Sequence, residues 1–201
     1  MNRYTKFPLP IYTSRLQLRA PVMASSDARV YYESVLNSMP EISRWLGWAV
    51  GPYTMTRAED YVRVSAYNWL ERSNTDIGLA FWIMDRSGQE FIGNIVIWNI
   101  NWYVPKFEFG FWLDSSKTGQ GYMQEAVVAL ARYCLTLGVA RIEIKCEVAN
   151  QRIHNMMRRI NFHLDGVLPS ATRAVNGGQL TDVALYSCVD IDVLPEIEVK
   201  W

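Results

Sequence analysis

A chain of 201 residues, 50% hydrophobic and 20% charged, has the length and make-up of one globular domain able to bury a full core. Its 20 basic and 20 acidic side chains cancel, which argues against a nucleic-acid partner or an anionic-membrane surface. Cys134, Cys146 and Cys188 are odd in number and far apart, and His154 and His163 lack paired ligand spacing. Neither a disulfide framework nor a metal site is therefore expected. With no apolar run of signal-peptide or membrane-spanning length, the chain reads as cytoplasmic.

In chain order, Arg15 to Arg19 alternates like a short strand, with Leu16 and Leu18 inward. Ser25 or Ser26 is placed to cap a helix through Val30, Tyr31 and Val35. Pro40 to Trp48 reads as a short second helix presenting Trp45 and Trp48, and Thr56 to Arg72 as a longer amphipathic one. Leu79 to Met84 and Phe91 to Ile100 are strands joined by the turn Asp85-Arg86-Ser87-Gly88. From Lys106 a further strand points Phe107, Phe109 and Phe111 to one side and Glu108, Gly110 and Trp112 to the other. After Gly119-Gln120-Gly121, apolar residues at 123, 126, 127, 130, 131, 134 and 137 mark one helical face, with Gly138 as its stop. Ala140 to Val148 is a strand, Asn150 to Arg159 a helix, and Phe162 to Val167 a strand. Asn176-Gly177-Gly178 is a turn before a last strand, Val183 to Ile191. The tail with Pro195, Ile197 and Val199 either adds a strand or hangs free. The order predicts an α/β fold: one domain over 1–201, with a mixed sheet of about seven strands and helices on both faces.

The run Lys106 to Ala126 carries the chemistry. A strand feeding a glycine turn at a helix N-terminus offers unpaired backbone N–H groups and a helix dipole to an anion, and glycine lets the backbone come close. A phosphate-bearing ligand is the first expectation. The dinucleotide fingerprint is excluded because Gln124 stands where its third glycine belongs, and no Walker-type run exists.

The pieces SRLQLRAP, RWLGW, EFGFWLD with GQGYMQEA, RIEIKCEVAN, the NF pair at 161–162 and NGGQLTDVALYS stand in the order and spacing of a known family. From about Ser14 to Ser187 the chain resembles the GNAT superfamily of N-acetyltransferases, in particular its RimJ/RimL-type members that acetylate ribosomal-protein N-termini. The resemblance implies a mostly antiparallel sheet splayed in the middle and acetyl-CoA as cosubstrate, with no metal. The pyrophosphate is expected on the loop Gly119, Gln120, Gly121, Tyr122, Met123 and Gln124. The pantetheine arm is expected in the V between splayed strands, against main-chain groups of Phe111, Trp112 and Leu113, with Asn150 contacting it. As a plain helix residue, Asn150 reads simply as an N-cap. Thr118, Met123 and Ile153 depart from the family pattern: Ile153 replaces a serine suited to protonating the CoA thiolate, a role isoleucine lacks the atoms to fill.

Acetyl transfer to an amine needs a neutral nucleophile, a held carbonyl and a proton sink. Glu108, on the polar side of the central strand, is the first candidate base, and Glu147 the second. Tyr186 and Asp182 are candidates for the general acid, with His154 as a stand-in for the missing serine. Each has a plain structural reading: a paired strand carboxylate, a tethered core tyrosine, a helical histidine. Trp45, Trp48, Tyr53 and Trp98 are candidates to line the acceptor site. The expected reaction is direct attack of a protein N-terminal or small-molecule amine in a ternary complex. The alternative is a CoA-binding sensor or interaction module with weak catalysis. The resemblance also allows a homodimer.

Overall fold

Short alternating runs joined by tight turns favour an antiparallel meander, and the first half of the chain builds one. The structure, a computed structural model, describes residues 9–71, 78–175 and 177–201. Its strands are β1 (Ile11–Tyr12), β2 (Leu16–Arg19), β3 (Leu79–Asp85), β4 (Phe91–Asn101), β5 (Lys106–Leu113), β6 (Arg141–Glu147), β7 (His163–Arg173) and β8 (Leu180–Cys188). They form one sheet in the order β1-β2-β3-β4-β5-β6-β8-β7. Among the described residues every neighbouring pair is antiparallel except β5 with β6. The helices are α1 (Ser25–Ile42), α2 (Met55–Glu71), α3 (Tyr122–Thr136) and α4 (Gln151–Arg159).

Strand alternation sets the two layers. Phe107, Phe109, Ile142 and Ile144 face α3 and α4 in the larger core, while Trp82, Phe91 and Trp112 face Tyr31 and Val62 of α1 and α2 in the smaller. Tyr31 stacks near Trp82 with centroids 5.8 Å apart and meets Trp112 edge-on at 5.6 Å.

Several sequence-based boundaries are corrected. The sheet has eight strands rather than seven, because β1 is too short to show alternation; it pairs with β2 on one side and with Lys200 of the tail on the other. The tail therefore adds to the sheet edge: Tyr12 N donates to Lys200 O (2.7 Å) and Lys200 N to Tyr12 O (2.9 Å). The expected helix from Pro40 to Trp48 does not form. Pro40 instead lies inside α1, near its C-terminal end, where it leaves the carbonyl one turn back without its N–H partner, and only a 3-10 turn at Gly47–Ala49 follows. Ala24, not a serine, stands at the α1 cap, and Asp27 serves the helix start by accepting from Val22 N (2.8 Å) and pairing with Arg19 (2.9 Å). β7 runs six residues beyond Val167, and β8 begins earlier and ends earlier than Val183 to Ile191. Asn176 of the expected turn lies outside the described residues.

Candidate active site

The parallel pairing of β5 with β6 covers only Lys106↔Arg141, Phe107↔Ile142 and Glu108↔Glu143. Beyond it β5 stays paired with β4 as far as Leu113, and β6 with β8 as far as Glu147. The two central strands thus part after Glu108 and leave a V. Main-chain groups along a parted strand need another partner. Asp114 N donates to Ile92 O (2.9 Å) across the β4 ladder. Because antiparallel partners alternate, Trp112 also turns its main-chain groups toward β4, while Phe111 and Leu113 turn theirs into the V. Of the three residues expected to offer main-chain groups there, Trp112 is corrected: its backbone is used within the sheet, and its indole packs in the smaller core.

The glycine turn lies at the wide end. Gly119 (φ +78°) and Gly121 (φ +79°) both hold left-handed backbone, and Gly121 caps α3. A Cβ on Gly119 would meet no neighbouring atom, and one on Gly121 would meet only Arg15 Nη2 at 3.5 Å, so little protein packs against the turn. The ladder of α3 starts with Glu125 N donating to Gly121 O (3.0 Å), which leaves the preceding amides at the helix mouth. Gln120 is exposed, Tyr122 and Gln124 are half-buried, and Met123 points into the core.

Two residues that the sequence reading did not single out hold this loop. Glu125, in the first turn of α3, accepts from the hydroxyls of Thr13 and Ser14, and from Arg15 N (3.2 Å) and Nε (2.7 Å). Arg15 also donates from Nη1 to Gln120 O (3.0 Å) and lies over the Tyr122 ring at 4.7 Å. Their only sequence signal was an acid in a helix's first turn.

Asp114 fixes the other approach. Buried at the end of β5, it accepts from Ser34 Oγ (2.6 Å) and Asn37 Nδ2 (2.8 Å) of α1 and from Ser116 Oγ (2.7 Å) and N (2.9 Å). Burial works to raise its carboxyl, but the bonds from Ser34, Ser116 and Asn37 outweigh it and hold the group below its ordinary value.

Glu108 occupies the apex of the V, on its last paired position, with its side chain on the α1–α2 face. Lys145 Nζ (2.8 Å) and Asn99 Nδ2 (2.9 Å) both bond Oε2. Beside it Trp98 lays its indole over Gly110, where a Cβ would stand 3.4 Å from Cζ2. Trp48 meets Trp112 at 6.0 Å and Tyr53 at 6.1 Å, so three of the four aromatic candidates, Trp48, Tyr53 and Trp98, lie on this face, and Trp45 is half-buried.

Tyr186 lies on the opposite face, because it pairs with Ile144 and shares the larger core with Phe107. His154 Nε2 is 3.0 Å from Val148 O, a group that only accepts, so Nε2 carries a proton. On that tautomer Nδ1, 2.6 Å from Tyr186 Oη, accepts the hydrogen bond of the phenol. Burial raises the Tyr186 phenol further above its ordinary value. Asn150 caps α4, accepting from Ile153 N (3.4 Å), and Ile153 packs on the core. Asp182 accepts from Ser170 N (2.8 Å), and Glu147 is half-buried at the end of β6. Burial pushes up the thiols of Cys134 and Cys146, the latter to about 11, so neither is a thiolate near neutral pH.

The sequence family described as "Acetyltransferase (GNAT) domain" matches residues 15–163. A ribosomal-protein-serine acetyltransferase of Escherichia coli (strain K12) is 28% identical over 157 residues, 78% of this chain and 83% of that protein. Among solved structures, the microcin C7 self-immunity acetyltransferase MccE in complex with acetyl-CoA and AMP superposes with a TM-score of 0.77 at 22% identity, covering 88% of this chain and 93% of that one. RimL, a ribosomal L7/L12 alpha-N-protein acetyltransferase in complex with coenzyme A, superposes with a TM-score of 0.76 at 24% identity, covering 89% and 96%. At such identities these two establish a shared fold.

Proposed function

The chain belongs to the acetyltransferase (GNAT) domain family, and from that premise we propose that it moves an acetyl group from acetyl-CoA to a free α-amine at a protein N-terminus. The observation that carries the reading is the parting of β5 and β6 directly above Glu108, with a glycine turn at the wide end. The loop from Gly119 to Gln124 suits a pyrophosphate, since amides and a helix dipole converge there and the glycines carry no side chain of their own to block the approach. Main-chain groups of Phe111 and Leu113 suit the amides of the pantetheine arm, as an added strand would, and Asn150 stands at the adjoining end of α4.

In the proposed reaction the amine nitrogen attacks the thioester carbonyl carbon, the C–S bond breaks and CoA leaves as a thiolate that takes up a proton from solvent. Glu108 receives the proton lost by the amine, on Oε1, because Lys145 and Asn99 bond Oε2. An α-amine has an ordinary pKa of about 7.7–8.0, so a neutral fraction exists near pH 7 and modest base assistance suffices. The aromatic side chains on the Glu108 face are the proposed walls for the acceptor.

Calorimetric titration with acetyl-CoA tests the first half of the reading. Binding on the order of micromolar is expected, lost in Gly121→Val because φ +79° strains any side chain. CoA release with a synthetic peptide bearing a free N-terminal serine, and none with its Nα-acetylated twin, tests the second. Binding without turnover across α-amine peptides and small primary amines leaves a CoA-binding module. That outcome is kept in view by Ile153, which cannot protonate a thiolate.

A further inference from the structure

Among the described residues three non-glycines hold left-handed backbone: Asn99 (φ +46°), Asn161 (φ +59°) and Ser170 (φ +50°). Asn161 follows the last turn of α4, where such a residue ends a helix. Ser170 lies in the irregular stretch of β7 between Leu168 and Thr172. Asn99 has neither excuse: it lies inside β4, and the turn that follows is served by Asn101, whose Oδ1 accepts from Tyr103 N (2.9 Å) and Val104 N (3.0 Å).

The ladder explains how Asn99 is placed. Trp98 pairs with Glu108 and Asn101 with Lys106, so Asn99 and Ile100 stand together against Phe107 alone, as in a β-bulge. Trp98 shares the face of Glu108, and strict alternation would send the next side chain to the opposite, Phe107 face. Instead the Asn99 amide reaches Glu108 Oε2 at 2.9 Å. The bulge and the left-handed backbone turn this side chain back across the sheet. Asparagine tolerates that conformation better than most residues, but it is held against a conformational preference all the same.

We propose that Asn99 is a positioning residue for acetyl transfer, which turns the Glu108 carboxylate so that Oε1 faces the amine. The inference rests on the reading of Glu108 as the proton acceptor. Nδ2 of Asn99 and Nζ of Lys145 approach the same oxygen from β4 and β6, and so fix the carboxylate's rotation about its last bond. Lys145 supplies charge from across the V; Asn99 supplies direction from within the strand pair that stays closed. A side chain read from the alternation pattern alone would have been assigned to the other face.

The test is a double-mutant cycle with Asn99→Gly and Glu108→Gln, scored on kcat and on the KM for acetyl-CoA with the serine peptide. Glycine keeps the positive φ without strain, so Asn99→Gly removes the amide and leaves the bulge. It should lower kcat about ten- to hundred-fold, the effect of losing one hydrogen bond to a charged group, with acetyl-CoA binding unchanged. In the Glu108→Gln background the same change should have almost no further effect. Asn99→Asp should lose more than Asn99→Gly, since a second carboxylate would face Glu108. Additive losses, a change confined to KM, or a milder Asp variant would each overturn the proposal and leave Asn99 as a bulge residue only. Full turnover by Glu108→Gln alone, or no turnover of any amine by the unaltered protein, would instead remove the reading of Glu108 and the inference with it.

Discussion

The two oxygens of Glu108 are unequal, because both protein donors reach Oε2. That asymmetry is what the proposed role of Oε1 as proton acceptor requires. The tyrosine expected as general acid is in the contrary position. Tyr186 donates a hydrogen bond to Nδ1 of His154, on the face away from Glu108, and so ties β8 to α4. Tyr186→Phe should therefore cost about 1 kcal/mol of stability in urea unfolding and change kcat by less than about two-fold. A fall in kcat of ten-fold or more at unchanged stability would restore the phenol as the acid. His154 and Tyr186 were both legible as titratable groups near the site. That they spend their bonds on each other was not, since they are 32 positions apart in the chain.

At the scale of elements, the strand–turn–helix unit is anchored at both ends of its glycine turn. Asp114 bolts the end of β5 to α1, and Glu125 bolts the start of α3 to the β1–β2 turn. Asp114→Ala should destabilise the fold by about 2 kcal/mol, since Ser34 and Asn37 lose a charged acceptor in a buried setting. The acid dependence follows from the lowered carboxyl of Asp114, a balance in which the bonds outweigh burial. A group depressed in the folded state contributes fully above its unfolded value, about 3.9, and loses that contribution as pH falls through its lower folded value. Comparison of wild type and Asp114→Asn in urea between pH 6 and pH 2 should show the gap between them closing as acid is added. A constant gap would assign the stabilisation to shape rather than charge. The element itself, a strand running into a glycine turn and a helix, was plain from alternation and spacing. Its anchors were not, because Ser34, Asn37 and Thr13 come from segments that local patterning reads only as helix face or turn.

For the molecule as a whole, the tail completes the edge where the glycine turn lies. Lys200 pairs with Tyr12, Arg132 donates to Leu194 O (2.9 Å) and Pro195 O (3.1 Å), and Trp201 meets Tyr133 edge-on at 5.1 Å. Residues 195–198 also border a groove with Ser14, Arg15, Gly121 and Glu125. Removing residues 195–201 should lower Tm by about 5 °C, the shift expected in a chain of this size for one or two kcal/mol, and should weaken acetyl-CoA binding as the β1–β2 turn loosens. An unchanged Tm by circular dichroism would show the tail to be dispensable. The strand–turn–helix unit, its two glycines at the helix start, the phenylalanines on one side of β5 and the carboxylate on the other were legible in the amino-acid pattern. Those features depend on neighbours two to four positions away, and periodicity reports them directly. The resemblance implied splayed strands, but the place of the parting after Glu108, the turning of the Trp112 backbone away from the V, and the bulge that brings Asn99 across the sheet came from the tertiary structure. Register and splay are set by which strands meet over long sequence separations, and alternation within one strand carries no information about that.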